Sequence, residues 1–431
     1  MELKQIKERI AAAIEEHAEE IFRIAGQIYQ NPEAGYDEKK TSARIREVLE
    51  QYEIPYTYPH ALTGVKASLQ GKRSEARVCI MGELDAVRCS AHPDAKEGGV
   101  VHACGHHAQL AAMLAAAIGM KKSGVMDELD GDVCFFAVPA EEFIDLEYRK
   151  SLKDAGKICA YGGKQQLIAE GAFDDIDMAM MVHAQPNEEA GKLYSGGSNM
   201  GFLAKNITFR GKAAHGSTPF DGTNALNAAA LAILGIHANR ETFREEEKIR
   251  IHPIITKGGD VVNSVPDEVC IDTYVRGATL AAIKKGNAAV DRAMTGAAQM
   301  IGASVEWEDI PGYLPLVECE QLSEIFMENA SQLIGEENII HQKEIVGSTD
   351  AGDLSSVLPT IQPSFGGFSG GLHAKEFRVA DKENAYILPA KIMANTAAEL
   401  LVDGARLAKK VKQSFKPQMS KEEYLCYLKN E

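Results

Sequence analysis

The sequence predicts an α/β protein: a large domain with a mixed β-sheet flanked by helices, interrupted by a smaller inserted α+β unit. Three observations carry this. Between Gly64 and Val138 apolar, strand-like runs alternate with a helical run, giving a β-α-β rhythm. Near Gly197 the texture changes to the order β-α-β-β-α over about a hundred residues. After about residue 310 the chain returns to helices and short apolar runs. An insertion explains that return better than two independent beads, because insertions are tolerated where the host ends lie close. The divisions are read as 1–196, 197–310 and 311–431.

Element by element, Ile6, Ile10, Ile14, Ile21, Ile24 and Ile28 recur at helical spacing until Asn31-Pro32 breaks the pattern. A second helix is expected from Lys40 to Gln51. Strands follow at Gly64 to Leu69 and Arg77 to Gly82, the latter apolar enough to be central. A helix from about His107 to Lys122 and a strand from Val133 to Val138 continue the rhythm. In the inserted unit, strands are expected at Ala204–Arg210, Ile249–Thr256, Glu268–Arg276 and near Ala303–Ile310. Helices there run over Thr223–His237 and Leu280–Ile301. Another helix lies within Leu388–Leu407, and the polar tail from Val411 to Glu431 reads as a surface helix.

The 431 residues are 45% hydrophobic and 25% charged, enough for large cores and for two domains. A formal charge of -16 argues against nucleic-acid or anionic-membrane partners, since the field of the protein repels them. The first thirty residues lack an apolar core with a cleavage site, and Leu110 to Met120 is too short to span a bilayer, so a cytoplasmic protein is expected. The eight cysteines contain no close CxxC pair, which speaks against a disulfide framework or a thiolate zinc knuckle.

Chemistry concentrates at the ends of the expected strands, where open α/β sheets collect ligands. In His102-Ala-Cys104-Gly-His106-His107, a thiolate and an imidazole two residues apart can approach one cation, with Gly105 allowing the turn. The competing reading is a helix cap bearing histidines. His102 is read as structural and His107 as a neighbour of the ligands. Glu141 and Glu142 follow an apolar strand and point different ways if the backbone stays extended, so one can bind metal while the other faces an attacking water. A solvated acid pair is the alternative. His183 and His373 each follow an apolar or glycine-rich approach; either is also read as a satisfied core histidine. Together, Cys104, His106, Glu142, His183 and His373 form a donor set for two cations, which require a bridging ligand and open positions for water. Asp85 is a candidate to hold the second ring proton of a ligating histidine, or else is a turn acid.

In the inserted unit, His215 in Gly211-Lys-Ala-Ala-His215-Gly-Ser217 is a candidate donor to a developing oxyanion, or a turn or interface residue. Asn263 can present an amide to a ligand and Arg276 can grip a carboxylate through its fork, although an arginine on a strand edge is the commoner case.

These motifs, from Asn31-Pro-Glu-Ala-Gly-Tyr-Asp-Glu38 to His373, resemble the metal-dependent M20 family of peptidases and amidohydrolases, in particular its amidohydrolase branch. The resemblance implies a di-metal hydrolase domain with an inserted lid or dimerisation domain. It implies that Cys104 bridges two divalent ions, Zn or Mn, held also by His106, Glu142, His183 and His373. Glu141 takes the role of general base, His215 that of the lid histidine, and Asn263 and Arg276 those of carboxylate binders. The segment Gly347-Ser-Thr-Asp350-Ala-Gly-Asp353 resembles aminobenzoyl-glutamate hydrolase subunits and moves the expected substrate toward an N-acyl or N-aroyl derivative of an acidic amino acid. A dipeptidase, a broad N-acyl-amino-acid deacylase and a non-catalytic subunit are the alternatives. The resemblance also implies a homodimer, or assembly with a related subunit. His107, Gln109 and Arg88 depart from the family pattern, and Arg88 is expected to shape the entrance or contact an anion.

Overall fold

A computed structural model describes residues 2–186, 192–341, 344–345 and 347–429. The chain divides into two compact units: residues 1–197, 317–345 and 353–425 form the first, and 198–316, 346–352 and 426–431 the second.

The first unit is built on a six-stranded sheet in the order Tyr56–His60, Gly64–Leu69, Asp132–Val138, Arg77–Glu83, Met178–Met180, Thr360–Ile361. Arg77–Glu83 runs parallel to both neighbours, while Gly64–Leu69 is antiparallel to Asp132–Val138, so the sheet is mixed. Asp132–Val138 is buried at every residue, as expected for a central strand covered on both faces. The helix His106–Ser123 is buried from His106 through Met120, because alanines and long apolar residues occupy every side of it. It packs against Leu3–Glu16, Ala18–Tyr29 and Leu388–Leu401. A second sheet pairs His183–Pro186 in parallel with Ser364–Ser369, carrying His183 and the approach to His373.

Several sequence expectations shift in detail. The N-terminal run is two helices, Leu3–Glu16 and Ala18–Tyr29, because His17 leaves helical geometry at φ -102° and ψ 8°. The segment 388–407 is also divided: Leu388–Leu401 ends before Asp403 and Ala405, both at positive φ, and a new helix Arg406–Ser414 begins. The tail holds a helix, Lys421–Leu428, as expected, but its Tyr424 is fully buried, so it is more than a surface helix.

The second unit is an antiparallel sheet in which Gly201–Arg210 lies between Glu268–Gly277 and Ser304–Pro311. Glu268–Gly277 alternates strictly between buried and half-buried residues, the mark of a sheet with one covered face. Ala225–Ala238 and Leu280–Ile301 cover it, contributing Ala228, Ala232, Ile236, Val290 and Met294 to the core. The expected strand at 249–256 is two short ones, Arg250–Ile251 and Ile254–Lys257, on either side of His252-Pro253. Proline offers no amide to a ladder, which accounts for the break.

Candidate metal centre

In the first unit, strand ends and one helix start deliver the acids, the thiol and the imidazoles to a common place. Arg77–Glu83 ends in Glu83-Leu-Asp85, Asp132–Val138 leads to Glu141 and Glu142, and His106 opens its helix. Gly105 holds φ +87° ahead of that helix, and a Cβ there would meet the Cβ of Ala184 at 2.4 Å, so glycine is required on both counts. Cys104 thus lies just before a helix N-terminus, and burial together with the charge of Glu142 pushes its thiol pKa well above the ordinary value.

Two triads of donor atoms emerge, each with its ligand atoms within 4.8 Å of one another: Cys104, His106 and His183, and Cys104, Glu142 and His373. Cys104 belongs to both. Sγ of Cys104 lies 3.5 Å from Nε2 of His183, and Nε2 of His373 lies 3.2 Å from Oε1 of Glu142. Metal–ligand bonds of about 2.0 to 2.3 Å at tetrahedral angles separate two donors by roughly 3.3 to 3.6 Å, so both pairs are spaced as ligands of one ion.

The orientation of the rings agrees. Nδ1–H of His106 donates to the carbonyl and to Oδ1 of Asp85 at 3.0 and 3.1 Å, which directs its Nε2 into the cluster. Nδ1–H of His183 donates to the carbonyl of Ala184 at 2.9 Å, with the same effect. Nε2 of His106 and Oε1 of Glu142 make no well-aligned hydrogen bond and face only other donors of the cluster, Oε2 of Glu83 and Nε2 of His373, each at 3.2 Å. Orphaned lone pairs of this kind are costly unless a cation satisfies them. Burial disfavours a charged His106, yet the charges of Glu83 and Cys104 and the bond to Asp85 hold its pKa well above the ordinary value. The cluster therefore calls for positive charge at Nε2. The mixed sulfur, nitrogen and oxygen donors suit a borderline-soft divalent cation.

Glu141 is buried beside this cluster, its Oε2 3.9 Å from Nε2 of His106. It also forms a group with Glu83 and His106. Asp85 ties the two motifs together, since its Oδ2 accepts the amide of Glu142 at 2.8 Å while Oδ1 holds His106.

Glu83 has a partner, Lys164, that the sequence does not reveal. That lysine is fully buried, with Nζ 2.6 Å from Oε1 of Glu83. Burial alone would raise the pKa of Glu83; Lys164 and His106 hold it below the usual carboxylate range. Oε2 of Glu83 lies 3.2 Å from Nε2 of His106. A lysine on a short helix carries no signal of burial in the sequence. Among the departures, Gln109 accepts the amide of Glu83 through Oε1 at 3.2 Å. His107 packs against Tyr29 and Tyr386, and burial with the charge of His106 pushes its pKa to about 3. His102 is buried in the same aromatic group and belongs to neither triad. Arg88 forms a forked ion pair with Asp145, both contacts at 2.8 Å, so its guanidinium is committed to this chain's own acid.

The remaining predicted residues lie in the second unit. His215 and Asn263 sit on adjacent turns, joined by the amide of Gly216 donating to the carbonyl of Asn263 at 2.7 Å, and both are exposed. The amide of Ser217 donates to Nδ1 of His215 at 3.1 Å, which places the proton of the neutral ring on Nε2. Arg276 is half-buried on Glu268–Gly277. Its Nη1 donates to Oγ of Ser348 at 2.8 Å, and its guanidinium lies 5.3 and 5.5 Å from the rings of Phe202 and Tyr274.

Known proteins resemble this chain in sequence and in fold. The chain is 27% identical to the Xaa-Arg dipeptidase of Mus musculus over 98% of this chain and 95% of that protein. Its fold is similar to a dinuclear metal binding peptidase of the M20 family from Bacillus subtilis, with TM-score 0.70 and 21% identity over 90% of this chain and 99% of that one. It is also similar to an aminobenzoyl-glutamate utilization protein from Klebsiella pneumoniae, with TM-score 0.65 and 18% identity over 90% of this chain and 97% of that one. The model of peptidase family M20/M25/M40 matches residues 79–399, which span both glutamates and all five donors of the two triads, and the chain belongs to that family of metal-dependent amidohydrolases and peptidases.

Proposed function

We propose that this enzyme hydrolyses the amide bond of an N-acyl or N-aroyl amino acid, aminobenzoyl-glutamate-like in character, with two divalent cations, Zn or Mn, held by the two triads. The observation that carries this reading is the shared Cys104, with Glu141 buried beside His106. When bound, the cations would supply Lewis-acid polarisation of the carbonyl and lower the pKa of water. Glu141 accepts the proton of the attacking water and later passes it to the leaving nitrogen. Asp85 keeps His106 in the ligating tautomer. The Nε2–H of His215 is the donor for the developing oxyanion, and Asn263 and Arg276 bind the substrate carboxylate. Products are a free amino acid and a carboxylic acid.

The near full-length likeness to a dipeptidase favours a second reading, in which the acyl group is itself an amino acid. A panel of aminobenzoyl-glutamate, acyl-glutamates, neutral acyl-amino acids and dipeptides, assayed with Mn²⁺ and with Zn²⁺, separates the two. Aminobenzoyl-glutamate and acyl-glutamates are expected to give the highest kcat/KM. Preference for dipeptides or for neutral leaving amino acids overturns that choice.

We also assign self-association to this chain, as a homodimer or with a related subunit. Phe220, Leu234, Val262 and Met300 of the second unit are exposed apolar side chains that support it. Light scattering that finds a monomer at micromolar concentration removes this assignment.

A further inference from the structure

The helix Leu146–Asp154 has nine residues, of which only Arg149 and Leu152 are buried. Its inward face therefore presents an arginine where an amphipathic helix would place an apolar residue. Arg149 is fully buried, and its fork reaches main-chain carbonyls. Nη1 donates to the carbonyl of Tyr161 at 2.6 Å and to that of Ala140 at 3.4 Å, and Nη2 donates to the carbonyl of Glu142. Two of the three acceptors are the residues on either side of Glu141.

The turn they belong to needs holding. Ala140 adopts φ +54°, a left-handed conformation that a residue with a Cβ adopts only when its surroundings hold it there. Its amide donates to Oε1 of Glu38 at 2.8 Å, its carbonyl also accepts the amide of Gly163 at 3.0 Å, and the amide of Glu142 donates to Asp85 at 2.8 Å. Ala140 and Glu142, the residues flanking Glu141, are thus each held at both their N–H and their C=O.

The Asn31–Glu38 motif supplies the rest of the brace. A Cβ on Gly35 would lie 2.5 Å from Nη2 of Arg149 and 2.8 Å from Cα of Ala140, so only glycine leaves the passage open. The ring of Tyr36 lies 5.4 Å from the guanidinium, and its hydroxyl donates to the carbonyls of Ala160 and Gly162 at 3.0 Å. A planar fork spans several carbonyls at once, which a lysine ammonium on a flexible stem does not reproduce.

We infer that Arg149, with Gly35 and Glu38, is a positioning residue that locks the strained Ala140–Glu142 turn and thereby aims the carboxylate of Glu141. The inference rests on the assignment of Glu141 as proton acceptor. Misplacing a reacting group by about 1 Å costs on the order of 10²-fold in rate.

The test compares Arg149→Lys, Arg149→Met and Gly35→Ala with the parent and with Glu141→Gln, all metal-loaded. Each is measured for thermal melting, metal per subunit, and kcat and KM across pH. The expected result for the Arg149 and Gly35 variants is parental metal content and KM within about twofold, with kcat lower by about 10²-fold and a displaced acid limb of the pH profile. Parental kcat and acid limb in folded Arg149 variants overturn the inference, as does a loss of kcat that only follows a loss of metal. If neither Arg149 variant folds, Gly35→Ala decides by the same criteria, and if it too does not fold, Glu38→Gln does. Substantial activity in Glu141→Gln sinks the proton-acceptor assignment itself, an outcome separate from those of Arg149.

Discussion

The donors around Cys104 and the polar residues around His215 present polar groups in opposite ways. In the first unit they are mostly buried, held by one another, and some lone pairs face nothing but their neighbours. In the second unit His215 and Asn263 are exposed on turns, with their local hydrogen bonds made by adjacent backbone. Buried orphan atoms are costly and call for a ligand; exposed ones cost little and are free to engage a substrate transiently. The first region should therefore control metal content, and the second should control turnover without touching it.

The sharpest break in that comparison is Cys104→Ala. Because Cys104 belongs to both triads, its loss is expected to empty both sites together, lowering bound metal from two ions toward none and activity by at least about 10³-fold. Metal analysis after gel filtration, beside activity, checks this. Retention of one ion per subunit would mean that the triads do not depend on a shared thiolate. His215→Ala is the counterpart, expected to keep full metal while kcat falls by about 10² to 10³-fold, the usual loss for one oxyanion donor. Metal loss in that variant would erase the distinction between the two regions.

Asp85→Asn gives a smaller and more graded effect. An asparagine keeps an acceptor for one contact but not the charge that steadies both His106 and the amide of Glu142. Metal affinity is expected to fall by about 10 to 100-fold, measured by competition with a chelator of known affinity. Unchanged affinity would show that the carbonyl of Asp85, which also accepts from His106, is sufficient.

The two regions also differed in how well the sequence revealed them. Cys104, His106, Glu141 and Glu142 announce themselves because the first two open, and the last two follow, a run whose period gives away the helix or strand, so their place at an element end is legible. Lys164 and Arg149 do not, because a cation on a short helix looks like surface; only the tertiary fold shows each aimed inward at a charge or a carbonyl. The breaks at His17 and at His252-Pro253 were likewise hidden inside apolar patterns that run on across them. Charge pairing is equally non-local: Arg88 is expected from the sequence to shape the entrance or contact an anion, and nothing there marks Asp145, 57 residues along the chain, as its partner.

Glu318, a half-buried carboxylate, shows where partial burial stops short of making a ligand site. It belongs to the first unit and takes no part in either triad; its Oε1 accepts the amide of Gln362 at 2.6 Å, and no cation faces it among the described ion pairs. Burial raises its pKa to about 7, only partly countered by that amide. The unfolded chain releases this proton near the ordinary value of about 4.3, so between there and pH 7 the folded state binds more protons and stability falls as pH rises. Above pH 7 the full penalty is present. Glu318→Gln keeps an acceptor for Gln362 and removes the charge. It is therefore expected to melt a few degrees above the parent at pH 8, with the gap closing below about pH 5. A gap that is constant with pH, or that widens in acid, would mean that the carboxylate is ionised at no cost in the folded protein.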